Sequence, residues 1–252
     1  MKNLIVIIGT CVVVFIACVL VLIPSELGET QSNVSVIKLL PADYNPYQSL
    51  YDEMLAPTVR ISSASGIGSG VVIHHRGTET TEKYNYILTA SHVIENQSSV
   101  SVTFYSYSNT IISETTLTAF VVVTDTDKDI ALLRVLCGSV AKAKLAPENY
   151  TPYLFTPVWT VGCSLGLKPR PSFGHLCALG DSVANYWEVS SPILPGNSGG
   201  PVFDGTTHEV IGIVVWVHTY QGQLITTMAG IVPIQTIYEF LDFHHRDTEV
   251  TK

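Results

Sequence analysis

The chain is organised around the heptad Pro195-Gly196-Asn197-Ser198-Gly199-Gly200-Pro201, which the apolar pair Val202-Phe203 follows. Glycine has no Cβ, so the backbone beside Ser198 can turn tightly and a substrate carbonyl can approach closely. In such a turn the backbone N–H groups of Gly196 and Ser198 can point at one spot, where they would stabilise an oxyanion. The same residue types also form ordinary turns between strands. A nucleophilic role for Ser198 therefore depends on a base and a carboxylate elsewhere in the chain.

Two upstream segments supply those groups. A histidine ends the apolar run in Tyr86-Ile-Leu-Thr-Ala-Ser-His92-Val-Ile, and acidic residues begin the run in Asp127-Lys-Asp129-Ile-Ala-Leu-Leu-Arg-Val135. Imidazole can accept a proton from serine near neutral pH and return it to the leaving group. A carboxylate would hold that imidazole in the required tautomer and stabilise its charged form. The order along the chain is histidine, aspartate, serine, which differs from the order in subtilisin and in α/β-hydrolases.

Three short motifs carry a resemblance to a known family: T-A-S-H, D-I-A-L-L and G-N-S-G-G-P. They resemble the signature segments of the trypsin/chymotrypsin superfamily and occur in the chymotrypsin order. Two segments, Gly66-Ile-Gly-Ser-Gly-Val-Val-Ile73 and G-N-S-G-G, are most similar in sequence to the corresponding segments of the HtrA/DegP-like branch. The resemblance runs from about Ala56 to about Leu241. It implies a catalytic triad of His92, Asp129 and Ser198.

Asp125 and Asp127 compete with Asp129 for the place of the carboxylate. Asp129 is preferred because it directly precedes Ile-Ala-Leu-Leu, as the aspartate does in the family, whereas the other two fit a solvated acidic turn. In many family members a serine on a neighbouring strand donates a hydrogen bond to this aspartate. Val215 takes the place of that serine here, so we expect another donor or a water molecule to substitute.

Short runs rich in Val, Ile, Thr and Tyr, separated by Gly, Asn and Ser, favour an all-β fold. Together with the resemblance they predict two six-stranded antiparallel β-barrels of the chymotrypsin-like kind, at about 56–143 and 152–233, with a crossover at Leu145–Tyr153. The predicted strands are Thr58–Ser62, Gly70–His74, Tyr84–Thr89, Val100–Tyr105, Thr118–Val123 and Ile130–Val135, then Val158–Cys163, Cys177–Leu179, Trp187–Val189, Val202–Phe203, Val210–Val217 and Leu224–Ile231. Apolar residues of helical period over Pro233–Phe243 predict a C-terminal helix. The protease domain then spans 56–243, and 244–252 form a tail.

The N-terminal segment Leu4–Ile23 is almost wholly apolar. About twenty helical residues cross the ~30 Å core of a bilayer, whereas the apolar region of a cleaved signal peptide has about 7–15 residues. Length therefore favours an N-terminal transmembrane helix within residues 1–24, with a cleaved signal and secretion as the alternative. Lys2 before the segment and Glu26 after it predict that the rest of the chain lies outside the cytoplasm. Residues 25–55 are predicted to be a linker with a short helix at Tyr47–Leu55.

Composition excludes several other classes of function. The net charge is −8 and charged residues make up 13%, so the Lys/Arg-rich face that nucleic-acid binding requires is missing. No C-x-x-C pair and no H-E-x-x-H motif occurs, and we expect neither a metal site nor a cofactor. Cys163 and Cys177 would form a disulfide in an oxidising compartment or remain small buried thiols, which is the interpretation we prefer.

The resemblance also implies a primary specificity pocket, built from Pro192-Ile193 before the nucleophile, Trp216-Val217 on a later strand, and Gly230 on a hairpin arm. Pro192 takes the position of the carboxylate in trypsin-like enzymes, so a buried Lys or Arg side chain would be unpaired. Val217 takes the place of a glycine at the pocket mouth and should disfavour large aromatic residues. Gly230 is expected to leave some depth. A small aliphatic residue should therefore precede the scissile bond.

The sequence thus predicts a serine endopeptidase that acts on polypeptides through an acyl-enzyme, outside the cytoplasm. A catalytically silent homologue that binds unfolded or partner polypeptides and an esterase with the same triad are the alternatives. HtrA-like relatives are often trimers, so a homo-oligomer is possible here too. Asn197 replaces the aspartate that pairs with a cut N-terminus in zymogens, and no PDZ-like domain is recognised after residue 243. We therefore expect neither activation by insertion of a cut N-terminus nor peptide-sensing regulation through a PDZ-like domain.

Overall fold

The computed structural model describes residues 45–74, 84–108, 111–181 and 184–250. The predicted membrane segment, residues 1–24, and the linker up to residue 44 lie outside these ranges. Within the described ranges, no helix combines the length and the apolar character needed to cross a bilayer.

Twelve strands run through the described part of the chain. They are β1 (Thr58–Ser63), β2 (Gly66–Ile73), β3 (Tyr84–Thr89), β4 (Ser99–Ser108), β5 (Ile111–Asp125), β6 (Ile130–Leu136), β7 (Pro157–Gly162), β8 (Arg170–Asp181), β9 (Ala184–Val189), β10 (Pro201–Asp204), β11 (Val210–Tyr220) and β12 (Gln223–Pro233). They form two closed antiparallel barrels of six strands each, ordered β1-β2-β3-β6-β5-β4 and β10-β11-β12-β9-β8-β7. The predicted all-β fold with two barrels is confirmed.

Alternation of side chains explains why these segments are strands. In β1 the side chains of Val59 and Ile61 are fully buried, whereas Arg60 between them is partly exposed. Successive side chains of a strand point to opposite faces, so this period of two fills the barrel interior. Burying one such side chain contributes about 1.5–3 kcal/mol. The apolar positions that predicted the strands are therefore also the positions that hold the barrels together.

The chain before β1 packs more closely than a linker would. A short helix, α1 (Gln48–Leu50), continues into a π-helical turn over Tyr51–Leu55. The side chains of Met54 and Leu55 are buried, and the Thr58 hydroxyl donates to the Met54 carbonyl at 2.7 Å. The predicted helix is confirmed, but its residues belong to the folded core rather than to the linker, because they cover apolar barrel surface.

Two further α-helices and a single 3-10 turn over Ser164–Gly166 complete the described fold. The first, α2 (Ser91–Ile94), follows β3 directly and carries His92. The second, α3 (Ile234–Val250), begins after β12, buries Ile237 and Leu241, and contacts β11 and β12. The predicted C-terminal helix is confirmed, and it continues through most of the residues that the sequence assigned to a tail.

Candidate active site

The His92 imidazole and the Asp129 carboxylate are in direct contact. Nδ1 of His92 lies 2.7 Å from Oδ2 of Asp129, and the side chains are 46% and 24% exposed. α2 positions the histidine, and the turn before β6 positions the aspartate. Asp129 has a φ of +51°, a left-handed conformation that aspartate tolerates better than most residues. The structure thus brings two of the three predicted triad residues together at one end of the first barrel.

Two more donors hold the carboxylate of Asp129. Its Oδ1 accepts hydrogen bonds from the Ser91 hydroxyl at 2.8 Å and from the His92 backbone N–H at 3.0 Å. Burial alone would raise the pKa of the Asp129 carboxyl, but the hydrogen bonds from His92 and Ser91 outweigh it and lower that pKa. Val215, at the place of the usual serine, is buried. Ser91 is the substitute donor that the sequence left unidentified.

Asp125 has a different role from Asp129. Its Oδ1 accepts hydrogen bonds from the backbone N–H groups of Asp127 and Lys128, at 3.1 and 2.9 Å. These bonds close the turn between β5 and β6 in the manner of an Asx-turn. The turn supports the conformation that delivers Asp129 to His92.

The turn that carries Ser198, residues 195–200, lies between the two barrels, and we call it the nucleophile turn after its predicted role. The Ser198 carbonyl accepts a hydrogen bond from Ser69 N–H of β2 at 2.8 Å, and Gly199 N–H donates to Val214 of β11 at 2.7 Å. Gly199 has a φ of +79°, and a Cβ there would collide with Thr89 and with the Ser69 carbonyl. Glycine at this position is therefore required both by backbone conformation and by space.

Gly68 brings the nucleophile segment close to the histidine segment. A Cβ at Gly68 would lie 2.5 Å from Cγ1 of Val93, the residue after His92, and 3.1 Å from the Ser198 carbonyl oxygen. Ser198 itself is partly exposed. In the described part of the chain no hydrogen bond joins the Ser198 hydroxyl to the His92 ring. Such bonds are often long before substrate binds.

The predicted oxyanion donors have a defined environment. Gly196 has a φ of +99°, and a Cβ there would lie 2.5 Å from the Cys163 carbonyl oxygen. The Leu165 N–H donates to the Pro195 carbonyl at 2.7 Å. Neither the Gly196 N–H nor the Ser198 N–H donates to an acceptor within the described residues.

The residues of the predicted specificity pocket differ in exposure. Pro192 is exposed and Ile193 is buried, while Trp216 and Val217 are partly exposed. Trp216 pairs with Gly230 across β11 and β12, and its indole ring occupies the space where a Cβ of Gly230 would lie. The Trp216 indole therefore fills the pocket depth that the sequence predicted at Gly230.

A hydrogen-bonded pair beside Trp216 was not apparent from the sequence. Nε2 of His218 lies 3.0 Å from Oε1 of Glu188, and the His218 ring meets the Trp216 ring edge-on with centroids 4.8 Å apart. Tyr186 contacts the Trp216 ring from β9, at 6.3 Å between centroids. These contacts fix the indole. No pattern along the chain links β9 to β11, so only the barrel geometry reveals them.

The cysteines of the described residues are all free. Burial raises the pKa of the Cys163 thiol to about 12, and Cys177 is exposed. The bridge that the sequence allowed between them is not formed. The preferred interpretation as buried thiols holds for Cys163 and is wrong for Cys177.

Comparisons with known proteins agree with this architecture. Residues 68–213 match the family model described as "Trypsin-like peptidase domain". The chain is 31% identical over 170 residues to the "Probable periplasmic serine endoprotease DegP-like" of Pseudomonas fluorescens, covering 65% of this chain and 32% of that protein. It is 28% identical to "Protease Do-like 1, chloroplastic" of Arabidopsis thaliana, covering 74% and 41% of the two chains.

The fold has a counterpart among solved structures. The serine endoprotease from Yersinia pestis superposes with a TM-score of 0.62 and 23% identity, covering 81% of this chain and 68% of that one. The chain spans about a third of the length of the DegP-like relative, whose matched share is 32%. The family match covers more than half of the chain, from within β2 to within β11, and includes the nucleophile turn. The resemblance found in the sequence is confirmed: this chain belongs to the family of trypsin-like peptidase domains, with relatives named DegP-like and Do-like proteases.

Proposed function

We propose that the chain is a serine endopeptidase that hydrolyses peptide bonds through a covalent acyl-enzyme. The observation that carries this proposal is the 2.7 Å contact between His92 Nδ1 and the Asp129 carboxylate, beside a turn that presents Ser198. With Nδ1 engaged by the carboxylate, Nε2 of the imidazole is left to take a proton from the nucleophile.

The reaction would proceed in two halves. Ser198 Oγ attacks the substrate carbonyl carbon, and its proton passes to Nε2 of His92. Asp129 stabilises the imidazolium, which then protonates the leaving amine. A water molecule, deprotonated by His92, then attacks the acyl ester, and the imidazolium returns the proton to Ser198 Oγ as the acid is released. The N–H groups of Gly196 and Ser198 would hold the oxyanion in both halves, and losing one such donor typically costs about 10²–10³ in kcat.

A fluorophosphonate probe tests the proposal directly, because it labels only an activated serine. We expect the wild-type protein to be labelled and Ser198→Ala to remain unlabelled, with casein cleaved by the wild type alone. A folded wild-type protein that binds casein without probe labelling would instead be a catalytically silent homologue. Labelling with hydrolysis of esters but not of casein would identify an esterase.

We propose in addition that small aliphatic residues precede the scissile bond. The pocket would be lined by Pro192, Ile193, Trp216 and Val217, with Gly230 beneath the indole. None of these side chains is acidic, and the nearby Glu188 carboxylate is engaged by His218. Since one methylene in an apolar pocket is worth about 1–3 kcal/mol, the preference should be graded.

Cleavage sites mapped by mass spectrometry on a denatured protein test this preference. We expect Val, Ala and Ile before the scissile bond, and we expect Val217→Gly to admit larger residues. A dominant preference for Lys or Arg would contradict the assignment of Pro192. A preference for Phe or Tyr that Val217→Gly leaves unchanged would contradict the assignment of Val217.

We further propose that the enzyme acts outside the cytoplasm, held by the apolar segment Leu4–Ile23. The relative from Pseudomonas fluorescens is named as a periplasmic protease, which supports this location. The full-length protein should remain in the membrane fraction after washes with high salt and with alkaline buffer. A mature protein whose N-terminus lies between Ile23 and Thr30 would instead be secreted after cleavage.

A further inference from the structure

The segment that follows β7, Cys163–Leu167, orients a peptide unit of the nucleophile turn. Its Leu165 N–H donates to the Pro195 carbonyl at 2.7 Å. A peptide unit is planar and trans, so the Pro195 carbonyl and the Gly196 N–H point in opposite directions. Binding the carbonyl on one side therefore turns the Gly196 N–H to the other side, where the proposed oxyanion would form. We call these residues the 163–167 segment.

Side chains strengthen this connection. The Ser164 hydroxyl donates to Oδ1 of the buried Asn197 at 2.6 Å. The buried hydroxyl of Ser69 accepts from the Cys163 N–H at 2.8 Å and donates to the Gly196 carbonyl at 2.6 Å. The 163–167 segment and the nucleophile turn therefore share a hydrogen-bond network. A shift of the segment would be transmitted to the proposed oxyanion donors.

The backbone of the 163–167 segment is strained. Leu165 has a φ of +55° and a ψ of +26°, and its side chain is exposed, so apolar packing does not explain the conformation. Gly166 follows with a φ of +75°. Glycine adopts this conformation without cost, but a left-handed residue with a branched side chain persists only where surrounding contacts over-determine it. The segment needs external support to keep its shape.

Arg60 supplies support from the other barrel. Its Nη1 donates to the Gly166 carbonyl at 2.9 Å, across a sequence separation of 106 residues. Its Nη2 lies 3.4 Å from Oγ1 of Thr103 on β4, a longer contact that orients the guanidinium. Arg60 itself is held in β1, which pairs with both β2 and β4. A strand that is paired on both sides in the first barrel thus holds the Gly166 carbonyl.

We propose that Arg60 is a positioning residue for the oxyanion hole: by binding the Gly166 carbonyl it keeps the 163–167 segment, and through it the Gly196 N–H, in the active orientation. This inference rests on the proposed function. Arg60 does not touch the substrate, so it should affect stabilisation of the transition state and leave ground-state binding unchanged. Such an effect appears in kcat and not in KM.

Two variants distinguish the effect of the Arg60 hydrogen-bond donor from the effect of its side-chain size. R60M keeps a long apolar stem but cannot donate, whereas R60K keeps one charged donor group. We expect R60M to lower kcat on a peptide substrate by about tenfold, less than the ~10²-fold effect of deleting an oxyanion donor itself, with KM within about twofold of wild type. R60K should recover part of the loss. A peptide aldehyde, whose adduct needs the oxyanion hole, should bind R60M more weakly by the same factor.

Lys168→Ala is the matched control. Lys168 also reaches from beside the segment to the first barrel, where its Nζ lies 3.5 Å from the exposed Glu114 carboxylate. It does not touch the Gly166 carbonyl, and exposed ion pairs contribute little, so kcat should stay within about twofold of wild type.

Each result either supports or overturns the role of Arg60. Unchanged kcat in R60M would overturn it. So would a raised KM with unchanged kcat, or equal losses in R60M and Lys168→Ala. If R60M fails to fold, R60K replaces it: a severalfold lower kcat with unchanged KM and weaker aldehyde binding supports the role, and a kcat and aldehyde affinity equal to those of wild type overturn it. An inactive wild-type protein would refute the proposed function instead.

Discussion

The Ser91 hydroxyl donates a hydrogen bond of 2.8 Å to Oδ1 of Asp129, on the carboxylate oxygen that does not contact the His92 ring. The serine immediately before the histidine thus supplies the donor that family members place on a later strand, where Val215 stands here. The two carboxylate oxygens of Asp129 therefore have different partners. Oδ2 orients the imidazole, and Oδ1 accepts hydrogen bonds from residues of α2.

Ser91→Ala should lower activity without unfolding the protein. A net hydrogen bond is worth about 0.5–1.5 kcal/mol, which corresponds to roughly a two- to twelvefold loss in kcat/KM. Ser91→Thr keeps the hydroxyl and should retain most of the activity. Steady-state kinetics with thermal melting of each variant would check this. Equal losses in both variants would indicate a packing role for Ser91 rather than a donor role.

Asp129→Asn should remove a pH-dependent part of the stability. The pKa of Asp129 is lowered in the folded protein, so its ionised form stabilises the fold above the ordinary aspartate pKa of about 3.9. That contribution is lost as pH falls through the lower, folded pKa. The difference in unfolding free energy between wild type and variant should therefore shrink below about pH 4. Urea unfolding from pH 7 to pH 3 measures it, and a difference independent of pH would contradict the lowered pKa.

The triad should behave as a unit. Ser198→Ala and His92→Ala should each abolish most hydrolysis, and the double variant should be little worse than either single one. The reason is that the base has nothing to activate once the nucleophile is gone. Rates on a fluorogenic peptide, with circular dichroism to verify folding, would measure this. Clearly additive losses would refute the roles assigned to the two residues.

Gly230→Ala should disturb the wall of the proposed pocket. The added methyl would occupy the position of the Trp216 indole, which must move away from β12. We expect an altered tryptophan emission spectrum and a raised KM for peptide substrates. Gly138→Ala is the control, because a Cβ there meets no atom within 4 Å. Unchanged emission and KM in Gly230→Ala would contradict the close contact between Gly230 and the Trp216 indole.

Cys177 and Cys163 should differ in reactivity. Cys177 is exposed, whereas Cys163 is buried and its thiol pKa is raised to about 12, so almost no thiolate forms at pH 8. Iodoacetamide should therefore label Cys177 in the native protein and Cys163 only after unfolding, as peptide mapping can show. A disulfide-linked pair of peptides, or equal labelling rates, would contradict the arrangement of the second barrel.

The sequence by itself determined the all-β architecture and the contact between His92 and Asp129. Strands could be located because a half-buried strand needs apolar residues at every second position, a pattern that lies within a few neighbouring residues. In the structure Asp129 contacts the His92 ring, whereas Asp125 closes its own turn. The predicted limits of the segments were less accurate. Met54, assigned to the linker, is buried, and the C-terminal helix extends to Val250.

The tertiary structure alone decided how the site is supported. The bond from Arg60 to Gly166 spans 106 residues and joins two barrels, and a contact between a side chain and a distant carbonyl leaves no periodic trace in the sequence. The positive φ of Leu165 could not be predicted from the sequence, because the position is not a glycine and the contacts that support the turn come from distant residues. The indole over Gly230 depends on the register of β11 and β12. Local patterns specify elements, whereas the donors that orient a catalytic group are specified only when the barrels pack together.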